Sequence, residues 1–192
     1  MKKRILLDCD GVLANFCDFC FDFIEQNTGK RFTYEDVTDW DIFKALDVKY
    51  LEKDFRNLIA SGGQCITIKP FPDAIDAISK LKHDFEVIIV TSPLHVNSWA
   101  YERTEWLNKF FGIKKEDVIF ATKKEYVAGD IFLDDHFENC LLWKENNHDG
   151  ISLLWNAPYN KDKLTKSAGV RRVYNWGDVI SICKEEKQKG IW

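Results

Sequence analysis

The sequence lacks any long run of apolar residues. No segment of the 192-residue chain approaches the roughly 20 consecutive apolar residues that a helix needs to cross a bilayer. Near the N-terminus, the apolar run Ile5-Leu6-Leu7 ends at Asp8, so it is too short for the core of a signal peptide. These absences predict a cytoplasmic protein that has no membrane partner.

The chain also lacks an excess of positive charge. Its formal net charge is -4 at pH 7 and its isoelectric point is about 5.6. Domains that bind nucleic-acid backbones usually carry a basic surface, so no stable nucleic-acid partner is expected. A small anionic substrate is still compatible, because a metal ion and a few local cations can outweigh the global charge.

The sequence has no second set of metal ligands to accompany its one C-x-x-C motif, Cys17 and Cys20. A zinc or redox module would need such a set, or a strand–turn–helix setting. Four phenylalanines flank the motif at positions 16, 19, 21 and 23, which indicates an apolar helix surface instead. We therefore expect all six cysteines to be free and buried, as is usual in a reducing compartment.

What the chain does contain is an alternation of short apolar runs and helix-like segments. The runs predict strands at Ile5–Asp8, Phe85–Val90, Val118–Ala121, Ile131–Leu133 and Ser152–Trp155, with helices over Ala74–Leu81 and Tyr101–Phe111. Such alternation predicts a doubly wound α/β fold with a parallel sheet and right-handed crossovers.

One segment interrupts this alternation directly after the first strand. Residues 16–64 are rich in aromatic and charged side chains and end in Ser61-Gly62-Gly63. We interpret them as a small helical cap, inserted into a core formed by residues 1–15 and 65–192. The length fits one domain with such an insertion.

Four short motifs lie where predicted strands end, and ligands of doubly wound sheets bind outside those ends. They are Asp8-x-Asp10-Gly11, Thr91-Ser92, Lys124 and Asp134-Asp135. Clustered carboxylates repel one another unless a cation intervenes, and Mg²⁺ prefers oxygen ligands. Taken singly, each motif also fits a turn, a helix cap or a solvated surface.

Taken together and in this order, the four motifs resemble the haloacid dehalogenase-like superfamily of aspartate-nucleophile phosphatases, which has a Rossmann-like core. A closer resemblance is to the 5'(3')-deoxyribonucleotidase family, especially its bacterial and phage members. That resemblance is carried by Asp-Gly-Val-Leu-Ala-Asn-Phe at 10–16, Pro70-Phe71-Pro72, Thr91-Ser92-Pro93, Tyr101-Glu102, Leu133-Asp134-Asp135 and residues 155–160.

The resemblance implies a mechanism and a cofactor. Asp8 is the expected nucleophile, and Asp10 the expected general acid and base. Mg²⁺ is expected between the carboxylates of Asp8 and Asp134 and the backbone carbonyl of Asp10, with Asp135 just outside this ligand set. The phosphoryl group is expected to contact Lys124, Thr91, Ser92 and the backbone N–H of Gly11.

The resemblance also implies nucleoside monophosphates as substrates and a homodimer as a possible assembly. The candidate contacts to the rest of the substrate are Phe16, Trp40, Phe43, Leu94, Arg103 and His136. Arg103 stands where the family tends to have lysine, and His136 where animal members have arginine, which leaves base preference open.

Two alternatives remain at this point. One is a phosphatase of the same superfamily acting on a sugar phosphate or a polynucleotide end. The other is a non-catalytic domain that binds phosphate ligands, although such a domain would be expected to have lost Asp8, Asp10 or Asp134.

Overall fold

Six parallel strands form a single sheet in the computed structural model, which describes residues 2–94 and 96–188. The strands are β1 (Lys3–Leu7), β2 (Phe85–Thr91), β3 (Val118–Phe120), β4 (Ile131–Asp134), β5 (Ile151–Trp155) and β6 (Val170–Val173). Their order across the sheet is β3-β2-β1-β4-β5-β6, and every paired neighbour is parallel. The predicted doubly wound α/β fold is confirmed.

Seven α-helices accompany the sheet within these described ranges. They are α1 (Phe16–Thr28), α2 (Ile42–Ala45), α3 (Glu52–Ala60), α4 (Pro72–Asp84), α5 (Trp99–Phe111), α6 (Phe137–Asn146) and α7 (Trp176–Gln188). Short 3₁₀ turns lie between them, including Tyr34–Asp36, Cys65–Thr67, Lys124–Tyr126 and Pro158–Asn160. None of these helices has the length and apolar character that spanning a bilayer demands.

The side chains of the central strand alternate between two hydrophobic cores, because successive residues of a strand point to opposite faces. Ile5 and Leu7 join a large core that also contains buried residues of α1, α4, α5 and α7. Leu6 joins a smaller core with Phe132 and with Trp143 of α6. Both faces of the sheet are therefore covered, which explains why the strands read as nearly continuous apolar runs.

The sequence pattern does not predict β6, the strand at one edge of the sheet. Its sequence is Val-Arg-Arg-Val, and only the two valines are buried. An edge strand is paired on one side alone, so it tolerates exposed charges that would be costly in the sheet centre. The pattern of apolar runs is consequently weakest at this edge.

The segment between β1 and α4 is helical, as predicted for an insertion after the first strand. Its centre is Phe55, whose ring lies 5.0 Å from that of Phe43 and 5.2 Å from that of Phe23, between ring centroids. The rings of Phe16 and Phe19 lie within 6.2 Å. These residues belong to the same core as Ile5 and Leu7 of the sheet. The insertion therefore shares its core with the sheet; its predicted boundaries, 16 and 64, stay a prediction.

Replacing Phe55 by alanine should destabilise the whole protein, because the insertion and the sheet share one core. We expect Phe55→Ala to lower the free energy of unfolding by about 3–5 kcal/mol. Urea unfolding followed by circular dichroism and by tryptophan fluorescence should give one coincident transition. Tyr50→Ala, at a side chain that is 70% exposed, is the matched control and should change stability by less than about 0.5 kcal/mol. Two separated transitions would contradict the shared core.

Candidate active site

The predicted motifs meet where the strand order reverses, between β1 and its neighbour β4. Asp8 directly follows β1, and Asp134 ends β4. Lys124 reaches both from the 3₁₀ turn that precedes β4: its Nζ lies 2.6 Å from Oδ1 of Asp8 and 2.7 Å from Oδ2 of Asp134. Crevices at such reversal points are the usual ligand sites of doubly wound sheets.

Three carboxylates are buried together at this point. Asp8, Asp134 and Asp135 each offer an oxygen, and these oxygens all lie within 4.8 Å of one another. Burial raises the pKa of Asp8 to about 7 from an ordinary 3.8, with Lys124 opposing the shift and Asp134 adding to it. Burial, with Asp134 and Asp8, also raises the pKa of Asp135 well above its ordinary value. The cluster is therefore short of positive charge.

Lys124 is the cation that partly balances this cluster. Its side chain is only 3% exposed, and burial alone would lower its pKa. The adjacent carboxylates of Asp134 and Asp8 outweigh that effect, so the net pKa is raised and the side chain stays charged. One lysine cannot neutralise three carboxylates, so the donor set suits a hard divalent cation with a preference for oxygen ligands.

The orientation of Asp134 is fixed by three donors. Lys124 donates to Oδ2, the backbone N–H of His136 donates to Oδ1 at 2.7 Å, and Nδ2 of Asn139 donates to Oδ2 at 3.1 Å. Asn139 is not among the site residues predicted from the sequence. Its position in the first turn of α6, just past the Asp134-Asp135 pair, could have indicated this role.

Asp135 lies inside the cluster and is held from another part of the chain. The hydroxyl of Tyr159 donates to its Oδ2, and Nδ2 of Asn160 donates to its backbone carbonyl at 2.8 Å. Gly11 has a positive φ of 81°, and a Cβ there would lie 2.1 Å from Oδ2 of Asp135. The close approach explains why glycine occupies this position. Sequence reasoning assigned no role to Tyr159 or Asn160, although they lie in the segment that carries the family resemblance.

Asp10 is ion-paired with Arg103. Nη2 of Arg103 donates to Oδ1 of Asp10 at 2.6 Å. The Arg103 side chain is fully buried, whereas that of Asp10 is 29% exposed. Arg103 therefore faces Asp10 rather than an open surface, and its predicted contact with substrate would require it to leave this partner.

The predicted phosphate contacts occupy different environments. Thr91 ends β2 and is buried, while Ser92 is exposed and its hydroxyl donates to the carbonyl of Ala121 at 3.3 Å. The backbone N–H of Gly11 donates to the carbonyl of Ala14 at 2.9 Å. A phosphoryl contact from Gly11 would therefore have to replace an existing hydrogen bond.

Residues 2–188 match the protein family described as 5' nucleotidase, deoxy (pyrimidine), cytosolic type C protein. The chain belongs to this family. The predicted resemblance is thus confirmed. The members of this nucleotidase family are phosphoric monoester hydrolases, so the predicted enzyme class is confirmed as well.

Individual relatives align with nearly the full length of this chain. A 5'(3')-deoxyribonucleotidase of Bacillus subtilis strain 168 is 27% identical over 187 residues, covering 93% of this chain and 97% of the relative. The human cytosolic-type 5'(3')-deoxyribonucleotidase is 26% identical over 187 residues, covering 91% and 90%.

Solved structures share the fold at lower identity. A haloacid dehalogenase-like family hydrolase of Streptococcus pneumoniae aligns with a TM-score of 0.62 at 10% identity, covering 94% of this chain and 98% of that one. A haloacid dehalogenase family hydrolase of Deinococcus radiodurans R1, solved with bound phosphate and sodium, aligns with a TM-score of 0.61 at 10% identity, covering 96% of each chain. These likenesses confirm the haloacid dehalogenase-like fold.

A cavity of about 280 Å³ lies beside Asp135 of the carboxylate cluster. It is lined by Thr38, Asp39, Trp40, Asp135, His136, Phe137, Glu138, Tyr159, Asn160 and Lys163. Trp40 and His136, both predicted substrate contacts, face each other across 5.0 Å between ring centroids. The volume is near the lower end of the range of about 300–1,000 Å³ for small-molecule sites. The cavity thus joins the insertion to the carboxylate cluster.

The other predicted substrate contacts do not line this cavity. Phe43 is 6% exposed and packs in the aromatic core around Phe55. Phe16 is partly buried, with its ring 6.4 Å from that of Trp99 between centroids. Leu94 is 39% exposed. Their roles stay predictions, and Phe43 could reach a substrate only if the aromatic core rearranged.

The alternative of a zinc or redox module gains no support from the described part of the chain. Cys17 and Cys20 are buried, and burial raises the pKa of both thiols. The one group of three or more His, Cys, Asp or Glu side chains placed to hold a metal, within residues 2–94 and 96–188, is the aspartate cluster.

The stability of the metal-free protein should fall as the pH rises from 5 to 8. Asp8 has an ordinary pKa of 3.8 when unfolded and about 7 when folded. Protonated Asp8 therefore favours the folded state at low pH, and this contribution is lost as the pH rises through about 7. Over the about two pH units between 5 and 7 the loss amounts to about 2.7 kcal/mol of stability. In EDTA we therefore expect the melting temperature to drop by about 5–10 °C, since about 1 kcal/mol corresponds to about 2–4 °C.

Two comparisons make this prediction specific. Asp8→Asn removes the titrating group, so its melting temperature should depend less on pH over the same interval. Mg²⁺ should raise the melting temperature of the native protein more at pH 8 than at pH 5, because the ligands are then ionised. An equal pH dependence in the native protein and in Asp8→Asn would contradict the assignment.

Proposed function

We propose that this protein is a Mg²⁺-dependent phosphatase that hydrolyses deoxynucleoside or ribonucleoside monophosphates through an aspartyl-phosphate on Asp8. The observation that carries the proposal is the buried Asp8–Lys124–Asp134 ion-pair arrangement, with Asp135 beside it, in a chain of this nucleotidase family. A carboxylate next to a buried lysine, at the carboxyl end of a central strand, is suited to attack a phosphate ester.

In the first step, a carboxylate oxygen of Asp8 attacks phosphorus and forms a P–O bond. The bond between phosphorus and the nucleoside oxygen breaks, and Asp10 gives its proton to the departing oxygen. Lys124 lies against the attacking carboxylate, where its charge would offset the negative charge of the phosphoryl oxygens. Thr91, buried at the end of β2, is a candidate donor to the same oxygens.

In the second step, water replaces the nucleoside. Asp10, now a carboxylate, removes a proton from the water as its oxygen attacks phosphorus. The P–O bond to Asp8 breaks, which releases inorganic phosphate and restores the Asp8 carboxylate. Because the general acid and the general base are the same group, each turnover returns Asp10 to its protonated form for the next turnover.

Asp8, Asp134 and the backbone carbonyl of Asp10 would hold Mg²⁺, with Asp135 beside them. When bound, Mg²⁺ would supply the positive charge that lets an anionic carboxylate approach an anionic phosphate. The shortage of positive charge in the cluster supports this assignment.

The nucleoside part of the substrate would occupy the cavity beside Asp135. Trp40 and His136 line it, and an aromatic ring can stack on any nucleobase. The names of the relatives, 5'(3')-deoxyribonucleotidases from Bacillus subtilis and from human, favour deoxynucleoside monophosphates over other esters.

The test of this function is phosphate release from a panel of esters. The panel contains ribo- and deoxyribonucleoside 5'- and 3'-monophosphates, sugar phosphates and a 5'-phosphorylated oligonucleotide, each with Mg²⁺ and with EDTA. We expect Mg²⁺-dependent release from deoxynucleoside monophosphates. Asp8→Asn should abolish it, because the amide that replaces the carboxylate is not a nucleophile that can form the aspartyl-phosphate.

The possible outcomes of this panel test the mechanism and the substrate class separately. Release from sugar phosphates or the oligonucleotide alone would keep Asp8 as the nucleophile and refute the nucleotidase proposal. Release from no ester by the Mg²⁺-loaded protein would refute the enzymatic proposal and favour phosphate binding without catalysis. Full activity in Asp8→Asn would refute the mechanism.

Trp40→Ala tests the position of the nucleobase. Base–aromatic stacking is worth about 1–3 kcal/mol, and Trp40 is 61% exposed, so we expect an increase in KM of about 5- to 10-fold with kcat nearly unchanged. Tyr174→Ala, at an aromatic side chain that is 65% exposed, is the matched control. Unchanged KM in Trp40→Ala would place the base elsewhere.

A further inference from the structure

Arg103 is the most completely buried cation in the described part of the chain that contacts a predicted catalytic group. Its side chain has no exposed surface. The guanidinium carbon lies 5.1 Å from the ring centre of Trp99 and 5.2 Å from that of Trp106. Two indole rings thus contact the guanidinium through cation–π interactions.

The two terminal nitrogens of Arg103 reach two adjacent parts of the nucleophile loop. Nη2 donates to Oδ1 of Asp10 at 2.6 Å, and Nη1 contacts Sγ of Cys9 at 3.2 Å. Nε has no hydrogen-bond partner among residues 2–94 and 96–188. Since burying a guanidinium with an unpaired donor is costly, the arrangement suggests a requirement beyond stability.

The helix that carries Arg103 is itself tied to the end of the insertion. The carboxylate of Glu102, the preceding residue, accepts hydrogen bonds from the backbone N–H groups of Gly63 at 2.8 Å and Cys65 at 3.0 Å. Neighbouring residues of α5 therefore bind the segment that leads out of the insertion and the carboxylate of Asp10.

We propose that Arg103 is a positioning residue, which holds Oδ1 of Asp10 so that Oδ2 faces the reacting phosphate ester. This inference rests on the proposed function, because it concerns the general acid and base of that reaction. Arg103 has no exposed surface with which to touch substrate. It would act on the reaction through Asp10 alone, which differs from its predicted role as a substrate contact.

This positioning role requires a guanidinium because of the planar shape of that group. A planar fork of donors can contact the carboxylate and the neighbouring sulfur at once, and an ammonium group cannot match that geometry. Arg103→Lys keeps the charge and loses the fork, so it should restore only part of the activity lost in Arg103→Met.

The test compares two kinds of leaving group. An alkyl ester, such as a deoxynucleoside monophosphate, needs a proton on its departing oxygen, whereas p-nitrophenyl phosphate releases a stable anion. We expect Arg103→Met to lower kcat for the alkyl ester by about 10²-fold, the lower end of the range for general acid–base catalysis. KM and the rate of the initial p-nitrophenolate burst, which reports phosphorylation of Asp8, should change little.

A double-mutant cycle and a matched control complete the experiment. Adding Arg103→Met to Asp10→Asn should cost little more, because the group that Arg103 positions is already gone. Arg56→Met removes an arginine of α3 that is paired with Glu52 and exposed, and it should leave kinetics unchanged. If Arg103→Met does not fold, Arg103→Lys carries the same comparisons.

The outcomes distinguish this proposal from the proposed function. A raised KM with kcat retained would show substrate contact. An equally slowed phosphorylation of Asp8 by both esters, or additive effects with Asp10→Asn, would show a structural role. Each of these results overturns the proposal. If the native protein hydrolyses sugar phosphates but no nucleotide, the nucleotidase proposal fails and the Arg103 test proceeds on the sugar phosphate. If the native protein hydrolyses no ester, the proposed function and the Arg103 proposal both fail.

Discussion

The burial of three carboxylates around one lysine is the constraint on which the rest of this structure depends. Asp8, Asp134 and Asp135 are all less than 10% exposed, and the ammonium group of Lys124 contacts two of them. Breaking a buried pair by removing one partner typically costs about 3–5 kcal/mol. The turn that carries Lys124 must therefore lie directly over the junction of β1 and β4. Neighbouring elements must supply the remaining donors, as Tyr159 of a 3₁₀ turn and Asn139 of α6 do.

The insertion contributes to the same constraint because it helps to keep the cluster away from water. Its aromatic residues join the core beneath Asp8, and Tyr34, in its first 3₁₀ turn, is hydrogen-bonded to Tyr159, the partner of Asp135. The surroundings of Asp135, whose pKa is raised by burial, thus include a segment outside the sheet. A change in the insertion can alter the chemistry of the cluster without touching a carboxylate.

The sequence could predict Asp8 and Asp134 because each ends an apolar run, and parallel strands bring their carboxyl ends to one edge. It could not predict that Arg103 faces Asp10, 93 positions earlier in the chain, because that contact depends on how α5 rotates against the sheet. The same limit applies to Phe43, whose aromatic character fits a stacking residue and a core residue equally. Tyr159 and Asn160 follow β5 in a loop, where no periodic pattern indicates which side chains turn inward.

Charge balance explains why the chain's own cations cannot substitute for a metal ion. When ionised, Asp8, Asp10, Asp134 and Asp135 carry four negative charges, while Lys124 and Arg103 supply two positive ones, each already in contact with a carboxylate. The net charge of -2 around the nucleophile would repel a phosphate ester. A divalent cation cancels it without displacing either ion pair. The proposed need for a divalent cation is consistent with how completely the two cations are engaged, and freeing Lys124 or Arg103 for substrate would leave a carboxylate without its ion-pair partner.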